Sequence, residues 1–535
     1  MRKTAHMRAL IVAATLVLAQ QTQGAATADF LAPIHVSPDG HFLAGSKGEP
    51  FFWLGDTAWD LFDRTDRAEA EAYLLDRTHK GFTVVQVSLL PLFLGANGVG
   101  MGVNRFGEIP FIRGEFSQPN PRYFEQVDWI VERAAQLGLH VAIVLAWGST
   151  YVDVIDTRSK TDAPKTFSTL DAEGFARWVS SRYRHRGVIW ILGGDTTPVA
   201  PRLGYWKNAK GEWQVVPRPV EVVDYRAVYD SMAKGISEGD ANHPLITYHI
   251  SGSSNSGTAL PRTSLYFQDR HWLDVNMLQS GHYASGIDVS QAADMVFRWN
   301  GTLNYEPVLA EYNSVPVRPI VDGEARFEDL AINTQVDANG DAVAGYWSGT
   351  DARNAAYHAV FAGAAGHTYG NGNLWQFYDP TISREYQTPR KQYTWRQVLD
   401  RPISHQLQYL KALMLSRPYF SRIPDQSVLV GETGEGTAHV SGTRDKTGAY
   451  ILVFSPTGQP VTVDLNKVSG DRARAWWFDP RTGKATQIEG EFPTTGVKRF
   501  VAPSSGLDED WVLVIDDESK GFAAPGTNVH VAGQS

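Results

Sequence analysis

Strand-like and helix-like hydrophobic patterns alternate along most of the chain, from about residue 50 to residue 400. The clearest strand pattern is the unbroken apolar run from Val188 to Leu192, which is typical of a parallel strand buried on both faces. The clearest helix pattern covers residues 121–137, where apolar residues recur every three or four positions before Gly138. Alternation of this kind predicts a parallel sheet wrapped by helices.

The pattern contains eight strand-helix units and therefore predicts an α/β fold of the (β/α)8 barrel (TIM barrel) type. The predicted strands are residues 51–56, 83–90, 140–147, 188–192, 243–250, 273–278 and 306–311, and one that begins at 367. The predicted helices are residues 68–80, 121–137, 170–184, 225–236, 290–299 and 355–365. Long loops at 91–120, 196–220 and 313–350 are expected around a cleft at the rim. A doubly wound open sheet is the alternative, but it needs a glycine-rich phosphate-binding turn where this chain has Leu54-Gly55-Asp56-Thr57.

Acidic residues follow two of these predicted strands. Two glycines end strand four and lead into Asp195, and Glu311 lies at the carboxyl end of predicted strand seven, with Glu306 at its opposite end. Strands four and seven lie across a closed barrel from each other, so their end residues can face one substrate. Glycoside hydrolysis needs two opposed carboxylates, one to protonate the leaving oxygen and one to attack the anomeric carbon or activate water. The plainer interpretations are a capping role for Asp195 and a salt bridge for Glu311.

Polar and aromatic side chains follow the other predicted strands. Aromatic rings pack on the apolar faces of sugars, and polar groups bind the hydroxyls. We therefore expect a carbohydrate-binding cleft lined by Asp56, Trp59, Gln86, Trp147, His249, Gln279, His282, Tyr283, Tyr312, His367, Tyr369, Asn371 and Trp375. Histidines at strand ends can also bind a metal ion. The chain has no His-x-His or His-Glu-x-x-His spacing, and we predict no metal and no other cofactor.

Composition narrows the class of protein. The 535 residues allow one large domain and one or two smaller ones. The net charge is −9 and no basic block stands out, which argues against nucleic acid as a partner. The chain has no cysteine, which excludes disulfides, thiolate metal sites and a cysteine nucleophile.

The first 28 residues have the pattern of a signal peptide. Basic residues precede a short apolar core at 9–19, and Ala26-Thr27-Ala28 fits a cleavage site. We therefore predict a periplasmic or secreted protein whose mature chain begins at Asp29 and which has no membrane contact after cleavage. The alternative is an uncleaved anchor, for which the apolar core is short.

The carboxyl-terminal part has an all-β pattern. After a helix at 405–415, short strands at 438–441, 449–455, 461–465, 473–478 and 511–515 predict an antiparallel β-sandwich. The predicted organisation is a signal peptide at 1–28, a lead-in at 29–45 that could add a strand to the sandwich, a barrel at 46–416, the sandwich at 417–518 and a disordered tail at 519–535.

Three stretches in this order, 52–59, 190–195 and 365–370, resemble the apiosidase-like glycoside hydrolases of family 140. The resemblance covers nearly the whole mature chain and includes a carboxyl-terminal domain sometimes labelled collagen-binding. It implies a retaining hydrolase in which Asp195 is the acid/base and Glu311 the nucleophile. It also implies removal of apiose, a branched pentose, from a galacturonic acid backbone such as that of the pectin rhamnogalacturonan II.

Three functions remain open from the sequence. The first is a secreted retaining glycoside hydrolase that acts on side chains of plant pectin. The second is a glycosidase of the same fold that acts on another sugar, such as an arabinofuranoside, because loops set specificity. The third is a non-catalytic carbohydrate- or matrix-binding protein. All three have a carbohydrate or matrix polymer as partner, and none fixes an oligomeric state.

Overall fold

The computed structural model describes residues 31–92, 101–152, 166–201, 204–207, 213–216, 222–254, 262–284, 297–298, 300–382 and 389–527. Its centre is a sheet of eight parallel strands paired in chain order. They are β1 Trp53–Thr57, β2 Val84–Ser88, β3 His140–Val144, β4 Ile189–Thr196, β5 Ile246–Ile250, β6 Asn276–Gln279, β7 Ile320–Glu324 and β8 Gly366–Tyr369. Strand β8 pairs with β1, and a bridge between Thr247 and Val275 joins β5 to the approach of β6. The sheet therefore closes into the predicted barrel.

Helices pack around the barrel between the strands. They are α1 Leu61–Arg64, α2 Arg67–His79, α3 Pro121–Gln136, α4 Gly148–Tyr151, α5 Thr169–Tyr183, α6 Arg226–Gly239, α7 Ser264–Phe267, α8 Tyr305–Tyr312, α9 Gly349–Phe361, α10 Trp395–Val398 and α11 Pro402–Leu415. Local sequence explains their ends. Asp66 with Glu69 forms a capping box at the start of α2, and Pro121 occupies the first turn of α3. Gly138 follows α3 with φ +77°, a conformation that favours glycine.

Predicted strand seven is wrong. Residues 306–311 belong to helix α8, and β7 lies instead inside the predicted loop 313–350. Val308 and Glu311 are buried while Leu309 is 44% exposed, which is the spacing of a helix face rather than a buried strand. A short apolar run fits either element, and tertiary packing decides between them. The predicted helix 290–299 falls almost wholly outside the described residues; Phe297–Arg298 pairs with Ser253–Ser254 as a short strand.

The carboxyl-terminal domain is an antiparallel sandwich, as predicted. Its larger sheet contains the strands Arg422–Pro424, Ser441–Asp445, Tyr450–Ser455, Trp511–Asp517 and Arg472–Phe478, with Ala485–Gln487 and Phe492–Pro493 on its far edge. The facing sheet is the pair Val461–Asp464 and Val497–Phe500. Both faces of the larger sheet are buried: Ile451 and Val453 face the sandwich core, whereas Leu452 and Phe454 join the core of the barrel.

The two terminal segments differ from expectation. The lead-in forms its own small sheet, His35–Val36, Leu43–Ala44 and Pro50–Phe51, and adds no strand to the sandwich. Residues 519–527 of the predicted disordered tail are packed: the Arg417 guanidinium lies over the Phe522 ring, and the Gly526 N–H donates to Ser416. The signal peptide 1–28 and residues 528–535 lie outside the described residues.

Two further features complete the described chain. Short hairpins at the rim pair Val199–Pro201 with Val222–Asp224 and Gly204–Lys207 with Trp213–Val216. Within the described residues, no helix combines the length and the apolar character that crossing a membrane requires.

Candidate active site

Strands β4 and β7 both end in a glycine-containing irregularity followed by an acidic residue. Between β4 and β5 the register shifts after Leu192, and the next pair is Thr196 with Ile250. Between β7 and β6, Asp322 lies opposite Leu278, whereas Glu324 lies opposite Gln279. An extra residue in one strand changes which way the next side chain points. The two shifts thereby bring Asp195 and Glu324 within electrostatic range of each other at the carboxyl face of the barrel.

The glycines of β4 are required by close packing and by backbone conformation. A Cβ at Gly194 would lie 2.4 Å from the nearest Trp147 ring atom, and one at Gly193 would lie 2.7 Å from the Tyr248 ring. Gly193 has φ +63° and Asp195 has φ +49°, both in the left-handed region. A left-handed aspartate is strained, and such strain tends to occur at functional sites.

The two oxygens of the Glu324 carboxylate have different surroundings. Oε1 accepts hydrogen bonds from Gln279 Nε2 at 2.7 Å and, on the neighbouring strand exit, from His282 Nε2 at 2.8 Å. Oε2 has no hydrogen bond among the described residues, and His249 Nε2 lies 3.4 Å from it. One oxygen is therefore held in place while the other is available for chemistry.

Asp195 is bound more loosely. Its Oδ1 accepts a hydrogen bond from the Ser251 hydroxyl at 3.3 Å, and its backbone N–H donates to His249 Nδ1 at 3.3 Å. The Gln279 side chain lies close enough to lower the pKa of Asp195 while it donates to Glu324, so one amide influences both acids. Asp195 is exposed to solvent at the barrel mouth, unlike the buried Glu324.

The protein shifts the pKa values of the two acids in opposite directions. Burial by itself raises the pKa of Glu324, but the His249 ring that faces Oε2 and the His282 hydrogen bond to Oε1 hold it well below its usual range. Desolvation raises the pKa of Asp195, and the nearby Glu324 charge raises it further. A carboxyl group with a lowered pKa beside one with a raised pKa is the arrangement of a nucleophile and a general acid.

Aromatic rings and a buried amide support the pair. Trp59 lies edge-on to Trp147 and to His249, with ring centroids 5.5 Å apart in each case. Inside the barrel, Gln86 Nε2 donates to the Gly323 carbonyl at 2.9 Å, and the Thr368 hydroxyl donates to Gln86 Oε1 at 2.8 Å. Gln86 therefore fixes the backbone immediately before Glu324 rather than contacting a substrate.

The structure brings together only some of the residues predicted from the sequence. Those near the two carboxylates are Trp59, Trp147, His249, Gln279 and His282, with Gln86 beneath them. The described residues contain no group of three or more acidic or histidine side chains arranged to hold a metal ion.

Several predicted cleft residues have structural roles. Asp56 accepts from Tyr73 at 2.6 Å beside Arg77, on the side of helix α2. Tyr369 donates to Glu328 at 2.6 Å, and Asn371 donates to Asp329. His367 is fully buried. The sequence predicts that these four side chains line the cleft, because their strands end there. In the structure all four are buried, and Asp56, Tyr369 and Asn371 form their hydrogen bonds with other protein side chains.

The remaining three predicted contacts lie elsewhere or at the margin. Tyr312 stacks on His41 of the lead-in, with centroids 4.1 Å apart, so its assignment to the cleft is wrong. Tyr283 bonds the Thr334 hydroxyl at 3.2 Å in the segment after β7. Trp375 is 7% exposed, and its carbonyl accepts from the Asp60 N–H.

Glu311 does not lie at a strand end, and that prediction is wrong. Its carboxylate is buried on helix α8, where it accepts from the Ser264 N–H at 3.0 Å and from Asn276 Nδ2 at 3.1 Å. These bonds tie α8 to the start of α7 and to β6. Burial raises the pKa of Glu311, and no contact joins it to Asp195 among the described residues.

Glu324 was missed by the sequence analysis. Its signal is the run Ile320-Val321-Asp322-Gly323-Glu324, in which apolar residues, glycine and an acid follow in the same order as Ile191 to Asp195. The run lies inside 313–350, which the spacing of the predicted strands assigns to a rim loop.

Two family matches divide the chain. Residues 37–421 match the family described as "Apiosidase-like, catalytic domain". Residues 423–516 match the family described as "Putative collagen-binding domain of a collagenase". No curated protein sequence matches the chain.

Similar solved structures are glycoside hydrolases. One, described as "Glycoside hydrolase", is 30% identical and covers 91% of this chain and 97% of its own, with a TM-score of 0.74. Another, a glycoside hydrolase family 5 protein from Bacteroides vulgatus ATCC 8482, is also 30% identical, covers 92% and 94%, and has a TM-score of 0.74. Both similarities extend over the barrel and the sandwich together.

Proposed function

Since the chain belongs to the apiosidase-like glycoside hydrolases, we propose that Asp195 is its catalytic acid/base and Glu324 its nucleophile. The observation that carries the assignment is the pair itself, located at the ends of β4 and β7, sharing Gln279 and having opposed pKa shifts. This replaces Glu311, which the predicted strand ends and the family resemblance both suggested.

We propose a retaining reaction, which the family resemblance implies and which the electrostatic influence of Glu324 on Asp195 supports. Retaining glycosidases hold their carboxyl groups about 5–5.5 Å apart, whereas inverting enzymes leave room for a water at about 6.5–9.5 Å.

The reaction then proceeds in two steps. Glu324 Oε2 attacks the anomeric carbon while Asp195 gives its proton to the leaving glycosidic oxygen, which breaks the sugar–oxygen bond and forms a glycosyl ester on Glu324. Asp195, now ionised, takes a proton from water as the water oxygen attacks the same carbon. The ester breaks, the sugar leaves with its configuration retained, and both carboxyls return to their starting states.

For the substrate we propose a terminal apiose on a pectin side chain, with Trp59 and Trp147 packing near the sugar. The family description supports this choice. We also propose that the protein is exported by its first 28 residues, which fits a polymer substrate outside the cell. A different pentofuranoside, such as arabinofuranose, is the alternative within the same mechanism.

The first experiment compares three variants with the wild type on rhamnogalacturonan II fragments and on a panel of aryl glycosides. We expect Glu324→Gln and Asp195→Asn to lower kcat/KM by roughly 10²–10⁴-fold or more, because each removes a group that acts in the transition state. Glu311→Gln is the matched control and should retain near-normal activity. Free apiose and the release of the aryl group are the readouts.

Added azide separates the two roles. In Asp195→Asn, azide can attack the glycosyl ester and should give a glycosyl azide of retained configuration from an activated aryl substrate. In Glu324→Gln, azide replaces the nucleophile and the product is inverted. Loss of activity in Glu311→Gln but not in Glu324→Gln would overturn the residue assignment. Activity on arabinofuranosides alone would overturn the apiose assignment, and sugar binding without hydrolysis would favour the non-catalytic alternative.

A further inference from the structure

His249 lies between the two acidic residues and contacts the backbone of Asp195 and the carboxylate of Glu324. It is fully buried on β5, its Nδ1 is 3.3 Å from the Asp195 backbone nitrogen, and its Nε2 is 3.4 Å from Glu324 Oε2. Trp59 is edge-on to the ring at an interplanar angle of 89°, which limits rotation of the imidazole. No other described histidine contacts both the β4 and the β7 acid.

The contact with the Asp195 N–H determines which ring nitrogen of His249 carries the proton. A backbone N–H can only donate, so Nδ1 must accept from Asp195 and carries no hydrogen of its own. In a neutral imidazole the proton then belongs to Nε2, which faces Glu324 Oε2. The left-handed φ of Asp195 belongs to the same turn that presents its N–H to the ring, so the backbone strain has a function.

We propose that His249 is a positioning residue that the Asp195 backbone holds as the Nε2–H tautomer, so that its N–H faces the attacking oxygen of Glu324. This inference rests on the proposed function for the identity of the nucleophile. The contact to Oε2 is longer than the two hydrogen bonds to Oε1. The His249 N–H therefore stabilises the ionised form of Glu324 without blocking the approach of Oε2 to the anomeric carbon.

Among the described residues, few charged or titratable groups face this ring. Asp195 comes from β4, Glu324 from β7 and His282 from the exit of β6, while Gln279 of β6 is neutral. Loss of the His249 donor removes one source of stabilisation of the Glu324 anion. The acid limb of kcat/KM, which reports ionisation of the nucleophile in the free enzyme, should then move to higher pH.

The first test needs no substrate. Long-range ¹H–¹⁵N spectra of the full-length protein labelled with ¹⁵N-histidine report the tautomer, and His249→Gln identifies the signal. We expect the Nε2–H form at pH 7. His140 is an internal comparison, because its Nδ1 faces the Gly187 carbonyl at 2.8 Å and must be protonated there. An Nδ1–H form or a cation at His249 would overturn the proposal.

The second test uses an aryl glycoside that the wild type hydrolyses. In His249→Asn the short amide reaches only the position of Nδ1, whereas in His249→Gln it reaches the position of Nε2. We expect the acid limb to rise by about one to two pH units in His249→Asn and to be largely restored in His249→Gln, given the strength of a hydrogen bond to a charged group. His140→Gln, at the opposite end of the barrel, should leave the limb in place.

Two failures can be told apart. If Glu324→Gln remains active, the proposed nucleophile is wrong, whatever the tautomer. If Glu324→Gln is inactive but the acid limb is the same in His249→Asn and the wild type, the nucleophile stands and the positioning role of His249 is overturned.

Discussion

At the level of single residues, the two acids differ because of the atoms within hydrogen-bond range of each. Glu324 has two close donors on Oε1, whereas Asp195 has a longer contact from Ser251 and faces the negative charge of Glu324. Small residues are essential to this arrangement. Gly194 leaves room for the Trp147 ring, and Gly323 leaves room for Met277, whose Cγ would lie 2.7 Å from an added Cβ.

We expect Gly194→Ala to lower kcat/KM by about 10²-fold, since a displacement near 1 Å at a reacting group has effects of this size. The added methyl must push Trp147 or the backbone that carries Asp195. The test measures kcat/KM on an aryl glycoside that the wild type hydrolyses, together with the midpoint of thermal unfolding. Gly174→Ala on helix α5, where an added Cβ meets nothing within 4 Å, is the control. Equal activity of the two variants would contradict the close-packing argument.

At the level of elements, the segment after β7 is fixed by ionic contacts to the buried Asp329. Asp329 accepts from Arg390 at 2.7 Å and from Arg401 at 2.8 Å. The neighbouring Glu328 accepts from Tyr369 of β8 at 2.6 Å, and burial, together with the charge of Asp329, raises the pKa of Glu328 to about 7. The exit of β7, and with it Glu324, is thereby attached to β8.

Glu328 should make stability fall as pH rises. Its folded pKa is about 7, against an ordinary value of 4.5. Between these values the folded state holds a proton that the unfolded state has lost, so the free energy of unfolding decreases with pH. Between pH 5 and pH 8, the free energy of unfolding should therefore fall by about 1–3 kcal/mol less in Glu328→Gln than in the wild type.

Thermal or urea unfolding at pH 5, 6.5 and 8 measures this effect. Glu489→Gln, a change at an exposed position in the sandwich, controls for loss of one negative charge. If the free energy of unfolding changed equally with pH in Glu328→Gln and in the wild type, the assignment to Glu328 would be contradicted.

At the level of the whole molecule, the sandwich is part of the barrel's structure. One face of its larger sheet packs on helix α9, where the rings of Tyr357 and Phe454 stack with centroids 4.8 Å apart. Arg353 of α9 forms a buried two-bond pair with Asp510, and Arg417 forms another with Asp516. These contacts favour a stabilising lobe over a separate matrix-binding module.

We expect Arg353→Met to lower the free energy of unfolding by about 3–5 kcal/mol, because Asp510 is left buried and unpaired. The double variant Arg353→Met/Asp510→Leu should recover much of this loss, since no charge is then stranded. Arg182→Met breaks the exposed pair with Asp128 and should change stability by about 1 kcal/mol or less. Urea denaturation of all three variants measures these changes in the free energy of unfolding. A double variant as unstable as Arg353→Met would contradict the argument.

The sequence predicted most of the barrel because its information is local. Periodicity and caps identified seven of the eight strands to within a few residues, and the Gly-Gly-Asp run located Asp195. The pattern could not separate strand from helix at 306–311, because an apolar run as short as Val308 to Ala310 fits both. That single error moved the second acid from Glu324 to Glu311.

The sequence by itself therefore determined the fold class, the sandwich and one carboxylate, since hydrophobic period and turn residues act over a few positions. Only the tertiary structure decided which acid faces Asp195, because the register between β6 and β7 sets the direction of Glu324. It also decided that Asp56, Tyr369 and Asn371 bind within the protein. Which way a side chain at a strand end points depends on the neighbouring strands, and these are distant in sequence.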